Sequence, residues 1–377
     1  MIDRQQEALY AMALTRISYF NLTSLLQLYD KLGSATEIMA HRNDIRDVVP
    51  DAAPRLVESL RHTDEAMARA EGEMAYDERY GIEPLAISDP RYPQRLRECS
   101  DAPLVLFYRG TADLNQQRIV CIVGTRHCTA YGQDLVRRFI EDLRTQCPQV
   151  LIVSGLAYGV DIHAHRNALQ QGFETVGVLA HGLDQLYPPR HASTANEMTH
   201  QGGLLTEFFT LTRAEKMNFV RRNRIVAGMS DACILVESAA RGGGLITARL
   251  ARDYNREVFA FPGNVGAPYS EGCNNLIRDN GAVLLTSAEH FVTTMGWQDD
   301  AALRQARQTG IERELFPDLS DEEKLVVGAL SQSNDQQLNM LAVRTNLPIA
   351  RLTALLFEME LKGVVKPYAG GTYHLLM

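Results

Sequence analysis

Two short loops carry residue types suited to binding an anion. Gly124-Thr125-Arg126 follows the apolar run Ile119 to Val123, and Ser154-Gly155-Leu156-Ala157-Tyr158-Gly159 follows the apolar run Val150 to Val153. Glycines let a backbone approach a ligand, and a helix starting just beyond such a turn points unbonded N–H groups at it. Arg126 adds a guanidinium, which can hold a phosphate through two parallel hydrogen bonds. Either loop alone is explained as a tight strand-to-helix turn. The pair, with an arginine in one member, points to a bound anion.

A third segment, Lys216 to Gly228, is the densest basic stretch, with Arg221, Arg222 and Arg224 around Asn223 and Phe219 among the charges. Basic groups interleaved with an aromatic suit a groove that follows a nucleic-acid backbone while bases stack. A solvated helix face with Phe219 turned to the core accounts for the same residues, and this segment alone does not separate the two.

Other chemistries find less support. After Gly124 the next glycine is Gly132, so the dinucleotide fingerprint is absent. There is no GxxxxGK[ST] loop, no HExxH and no CxxC pair. His163 and His165 are two apart near a helix start and would diverge. Ser154 lacks the GxSxG context of a hydrolase elbow. Asp161 is expected to hydrogen-bond its own turn. The expectation is therefore a binding surface with no catalytic residues, no metal and no cofactor.

These loops need a parallel sheet to carry them. Strand, glycine turn and helix repeat from Arg118 onward, the pattern of an α/β domain. Further strands are expected at Thr175–Leu179, Leu204–Thr206, Ala232–Val236, Val258–Ala260 and Val283–Leu285. The third strand ends at Gly182, the strand before Glu237 leads to Gly242-Gly243-Gly244, and Pro262-Gly263 follows the next. So several strands deliver glycine turns to one sheet edge, where open α/β sheets bind ligands.

The flanking segments differ. Residues 1–79 read as helical, with Gly33-Ser34 as a stop and an N-cap, and a polar helix near Arg55–Arg79. A scaffold packed on the next domain is the plain reading; a DNA-backbone-binding helical hairpin or a protein-interaction module are the alternatives. Tyr80 to Gly110 reads as a proline-punctuated connector ending in a short strand at Leu104–Tyr108. The α/β domain closes near 296, and 297–317 reads as a linker. Residues 318–377 show three helices, then two strands flanking Ala369-Gly370-Gly371, a pattern suggesting a winged helix-turn-helix. Its last helix carries Glu358 and Glu360, poor charge for a DNA groove. Protein contact or regulation is an equal reading there.

The chain has 377 residues, 38 basic against 46 acidic, and a net charge of −8, which opposes bulk attraction to nucleic acid but permits a local basic patch. Only five of the basic residues are lysines. The six cysteines show no disulfide framework, which suits a reducing compartment. With neither signal-peptide pattern nor long apolar segment, a soluble cytoplasmic protein without membrane contact is expected.

Over about Tyr80 to Phe291 the chain resembles the DNA-processing protein A (DprA/Smf) family. The resemblance rests on IVGTR with Tyr131-Gly132, then SGLAYGVD, HGLDQLYP, GGLLTEF, FVRRNRIVAG, GGGLITA, VFAFPG and SEGCNNLI in order. It implies a Rossmann-like domain that binds single-stranded DNA, a homodimer, and the recombinase RecA as a partner loaded onto the strand. It also implies an N-terminal helical domain, often of sterile-alpha-motif type, and in many members a C-terminal winged helix. Carried over by position, Gly124, Thr125 and Arg126 should meet a DNA phosphate, Ser154 and Gly155 should line the same pocket, and Gly182 stands in the third loop. Lys216, Phe219, Arg222, Asn223 and Arg224 match the basic segment. Many members have a lysine after Tyr187-Pro188; here Pro189 stands, and Arg190 is the expected substitute.

The leading expectation is thus a single-strand DNA-binding recombination mediator acting in natural transformation or general recombination, and not an enzyme. The alternative is a phosphoribohydrolase-like nucleotide-processing enzyme using the same loops. Against it, GGGLITARLA offers Arg249 and Leu250 where a catalytic acid is wanted.

Overall fold

The structure, a computed structural model, describes residues 3–17, 22–297, 319–368 and 370–376. The segment expected to be a linker, 297–317, lies outside the described residues except for Trp297, whose ring meets Phe291 edge-on at 5.2 Å.

Six helices open the chain: α1 (Arg4–Arg16), α2 (Leu22–Leu32), α3 (Ala35–Ala40), α4 (Ile45–Val48), α5 (Pro54–Arg61) and α6 (Asp64–Tyr80). Gly33 takes a positive φ of 85°, and the Ser34 hydroxyl accepts the Glu37 N–H, so the stop and cap read from the sequence form as expected. The single helix expected near Arg55–Arg79 is two, α5 and α6, with the break at His62-Thr63. Glu7 ties the helices together. Its buried carboxylate accepts the Tyr29 hydroxyl, the Ala35 and Thr36 N–H groups and the Thr36 hydroxyl. A buried carboxylate is tolerated only when its lone pairs are satisfied in this way, here by the open end of α3.

The central sheet has nine strands. They are β1 (Glu83–Ala86), β2 (Val105–Gly110), β3 (Ile119–Val123), β4 (Leu151–Ser154), β5 (Thr175–Val178), β6 (Gly202–Thr206), β7 (Ala232–Leu235), β8 (Glu257–Ala260) and β9 (Val283–Leu284). Their order is β1-β2-β6-β5-β4-β3-β7-β8-β9. The run from β6 to β9 is parallel, and β2 pairs antiparallel with both β6 and β1. The stretch read as a connector therefore holds two strands that extend the sheet, with Leu85 opposite Leu106.

Chain direction across the sheet reverses between β3 and β7. The chain steps outward from β3 to β6, then returns to lay β7 on the other side of β3. That reversal opens a crevice at the carboxyl ends of β3 and β7, where doubly wound sheets bind ligands.

Strand pleating sorts the core. Ile119, Cys121 and Val123 face one layer, with α11 (Lys216–Gly228), α12 (Gly243–Asp253) and the N-terminal helices. Val120 and Ile122 face the other, with α8 (Ala130–Gln146), α9 (Val160–Gln170) and α14 (Ala288–Thr294). Cys121 and Cys233 are register partners, buried and unbridged, as small core residues. Short helices α7 (Gln94–Arg97), α10 (Ala192–Met198) and α13 (Glu271–Arg278) complete the domain. The N-terminal helices are a packed scaffold. Arg69 and Glu73 of α6 both bond Thr210, Glu73 accepting its N–H at 2.7 Å.

The C-terminal segment forms α15 (Asp321–Gln332), β10 (Gln336–Gln337), α16 (Leu338–Thr345), α17 (Ile349–Leu361), β11 (Val365–Tyr368) and β12 (Thr372–Leu375). The sheet order is β10-β12-β11, one strand more than the expected hairpin, around a separate core that includes Leu330, Leu341 and Leu356. This is a winged helix. It rests near the amino ends of β3 and β8. Gln117 donates to Asn334 O, Arg256 donates to Gln337 Oε1, and the Gly370 N–H donates to Glu257 Oε1 at 2.8 Å. The glycine loops are at the opposite edge of the sheet.

Candidate nucleic-acid interface

The crevice between the β3, β4 and β7 loops and the start of α11 is a cleft of about 540 Å³. Arg126, Lys216 and Arg241 are exposed around it, and half-buried Phe219 forms part of its wall. The Arg126 guanidinium lies over the Phe219 ring, 4.7 Å from its centroid, and Tyr187 meets the same ring edge-on at 5.8 Å. Cation and aromatic face thus form one platform. A planar base can stack against it while its phosphate pairs with a neighbouring cation.

The loops themselves are built inward. Thr125 donates its N–H to Glu237 O, and the His127 N–H goes to the Thr125 hydroxyl. Asp161 accepts the N–H groups of Gly155 and Ala157, the turn-bonding role expected of it. Burial holds its carboxyl above the usual range, although Arg222 and these N–H groups pull the other way. The start of α8 is closed as well. Thr129 caps it, and the buried Glu237 carboxylate accepts the Thr129 N–H and hydroxyl at 2.8 and 2.6 Å. The amides of Thr125, Gly132, Gly155, Ala157 and Val160 thus have intramolecular acceptors, which narrows the set of N–H groups the two loops can offer an anion. Exposed side chains bring positive charge to the cleft at Arg126, Lys216 and Arg241.

Glycine matters here for close approach. Gly159 has φ +76°, and a Cβ on it would collide with Thr125 O and Arg126. A Cβ on Gly155 would collide with the Arg222 guanidinium. These two positions let the second loop press against the first and let a buried arginine pass beneath it.

The twelve residues named from the sequence separate into two groups. Gly124, Thr125, Arg126, Gly155, Lys216, Phe219, Arg222 and Asn223 border the cleft. Arg222 borders it from beneath. It is buried, and its guanidinium donates to Gly155 O at 2.6 Å and to Val178 O. Burial lowers its affinity for the proton to a pKa of about 10, with Asp161 opposing and Arg126 adding to the fall. Arg222 ties the loop after β4 to the end of β5.

Three residues lie elsewhere, for local reasons. Ser154 is fully buried and donates its hydroxyl to Ile122 O at 2.6 Å, tying β4 to β3. Gly182 is closed over by Phe209 O and Asp184, where a Cβ would have no room. Arg224 is buried, pairing with Glu207 at 2.5 Å and donating to Asp101 O. The last, Arg190, is exposed and borders a neighbouring depression rather than the cleft.

Arg241 was missed. It stands directly before Gly242-Gly243-Gly244, and a cation beside a glycine turn is the same signal that singled out Arg126. A larger cavity of about 950 Å³ lies between the winged helix and β8–β9. Its buried Arg256 donates to Gln337, Arg95 O and Gly228 O, exposed Arg252 and half-buried Glu257 share the lining, and no aromatic ring borders it among the described residues. Among the described residues, no cluster of three His, Cys, Asp or Glu side chains is placed to hold a metal ion. No single helix among them is long and apolar enough to cross a membrane.

Comparison with known proteins places this architecture. The family model described as DNA recombination-mediator protein A matches residues 83–296, and the DprA winged helix domain model matches residues 314–371. Protein Smf of Escherichia coli (strain K12) is 36% identical over 288 residues, covering 74% of this chain and 74% of its own. The DNA processing protein DprA of Bacillus subtilis (strain 168) is 39% identical over 217 residues, covering 57% of this chain and 71% of its own. The solved structure of DNA processing protein A from Streptococcus pneumoniae superposes with a TM-score of 0.64 at 30% identity, covering 78% of this chain and 98% of that one. The Helicobacter pylori protein, solved for its single-stranded DNA binding mode, gives a TM-score of 0.51 at 28% identity over 57% of this chain and 95% of its own.

Proposed function

The chain belongs to the DNA recombination-mediator protein A family, and on that premise we propose that its cleft binds single-stranded DNA through phosphate contacts and base stacking. One observation carries the reading: the exposed cations Arg126, Lys216 and Arg241 surround an aromatic platform at the topological switch of the sheet. Among the described residues the one carboxylate bordering the cleft is Asp161, which is turned inward to Gly155 and Ala157 and flanked by Arg222. Such a cleft attracts a polyanion locally even though the chain carries −8 overall.

In this reading the protein is a mediator and not an enzyme. It covers exposed single strands in the cytoplasm, as a homodimer, and helps load RecA onto them during transformation or general recombination. Family membership supports these roles, and the relative from Helicobacter pylori, described as binding single-stranded DNA, supports the ligand.

The test is a fluorescence-anisotropy titration of matched single- and double-stranded oligonucleotides, with wild type and Arg126→Ala. Preference for the single strand, weakened in the variant and falling with salt, is expected. Equal binding of both forms, or an Arg126→Ala protein that binds normally, would overturn it. Release of free base from a nucleotide by the purified protein would favour the nucleotide-processing alternative.

A further inference from the structure

Beside the first cleft lies a second depression of about 600 Å³. The two share Arg126 and are divided by the loop after β4. Ala157 borders the first, while Tyr158 and Gly159 border the second. The second is bordered by Arg126, Arg166, Arg190, His127, His163 and His191 and, among the described residues, by no carboxylate. In a chain with 46 acidic against 38 basic residues, a depression with three arginines and no acid is a strong local departure. Arg126, Arg166 and Arg190 are exposed, and Arg166 donates its Nε–H to the Thr194 hydroxyl at 3.2 Å. Among the described residues none of the three has an ion-pair partner, and an anionic ligand would supply one.

An aromatic face continues across the divide. Tyr158 is 38% exposed and held edge-on against His191 at 5.1 Å, and the His191 ring is fixed by Leu156 O at 2.8 Å. The alternation of cation and ring in the first cleft is thus repeated here as Arg126, Tyr158 and Arg166. We propose that this depression is a second nucleotide subsite, so that one DNA strand runs from the first cleft over Arg126, stacks a base on Tyr158 and places a phosphate against Arg166. The proposal rests on the reading of the first cleft as a single-strand site and extends it to residues that reading does not use.

The two clefts are separated by ligand length. Thymidine homopolymers of about 4 and about 16 nucleotides, within the range of known single-strand site sizes, are titrated against wild type, Arg166→Ala, Arg166→Lys and Tyr158→Ala. Arg166→Ala should bind the long strand about tenfold more weakly, as for the loss of one charge-assisted hydrogen bond. Its slope of log affinity against log salt should be shallower by about 0.7, the contribution of one phosphate contact on a single strand. Binding of the short strand should be unchanged, and Arg166→Lys should recover most of the slope. Tyr158→Ala should weaken the long strand without altering the slope. Unchanged long-strand binding in both Arg166→Ala and Tyr158→Ala, or equal losses on both lengths, would overturn the subsite. Failure of wild type to bind either strand would instead overturn the reading of the first cleft. Arg166 is exposed, and matching far-ultraviolet circular dichroism of the variants establishes that the fold is retained.

Discussion

The Arg126 guanidinium lies 4.7 Å from the centre of the Phe219 ring. The two residues come from different halves of the domain, Arg126 from the loop after β3 and Phe219 from the first turns of α11, and they meet only because β3 and β7 are neighbours. The ring contact holds the Arg126 guanidinium at the border of the cleft. Arg126→Lys keeps the charge but loses the planar contact and the paired donors. Its single-strand affinity should fall by about tenfold, with a salt slope like that of wild type. Phe219→Leu should weaken binding by about 1 to 3 kcal/mol, the usual worth of one stacked base. Anisotropy titration at several salt concentrations checks both.

Arg224 and Glu207 form a buried pair, with Arg221 donating to the same carboxylate at 2.8 Å. Removing Arg224 leaves the buried Glu207 carboxylate with only the exposed Arg221 and opens a void, at a cost of up to about 3 to 5 kcal/mol. Arg224→Ala should therefore lower stability by that order in urea unfolding. A variant that instead keeps full stability and loses DNA affinity would return Arg224 to the binding surface.

Gly159→Ala is expected to disturb the site through the backbone. The position needs φ +76°, and the new methyl would press on Thr125 O and Arg126. The first loop must shift, and Arg126 with it. Single-strand affinity should drop at least as far as in Arg126→Ala. Gly266→Ala is the control, since Gly266 also has positive φ but nothing near its Cβ position; it should bind as wild type does.

Acid sensitivity should centre on His165. Its ring is fully buried with Nδ1 2.7 Å from the Thr175 hydroxyl, and burial, with Arg222 and His191 adding, pushes its pKa down to about 3 from the ordinary 6.5. Between those values the unfolded chain holds a proton that the folded chain does not. Stability is therefore full above about pH 6.5 and declines as pH falls toward 3. One such group contributes a slope of about 1.4 kcal/mol per pH unit within that window. Urea unfolding of wild type and His165→Gln at pH 7, 6 and 5 should show the variant's dependence shallower by about that amount; parallel curves would contradict it.

Much of this was legible locally. Alternating apolar runs ending in glycine turns announced a parallel sheet and the edge that carries ligands, and Arg126 stood out because it is a cation inside such a turn. Gly33-Ser34 and the helices of the winged domain were readable for the same reason, since caps and periodicity are properties of a few adjacent residues. β1 escaped notice because a strand of four residues among prolines has little local signal, and it exists by pairing with β2.

The basic segment shows where local reading stops. Lys216, Arg221, Arg222 and Arg224 look alike in the sequence, all cations within nine positions of one helix. In the fold Lys216 borders the open cleft, Arg222 is spent on Gly155 O and Val178 O, and Arg224 is spent on Glu207 and Asp101 O. The charge of a residue is set by its own chemistry, so the sequence alone determined that this helix is basic. Whether a charge is free to meet a ligand depends on which acceptors the fold carries to it. Those acceptors come from segments 17 to 123 residues away, so that division was decided by the tertiary structure.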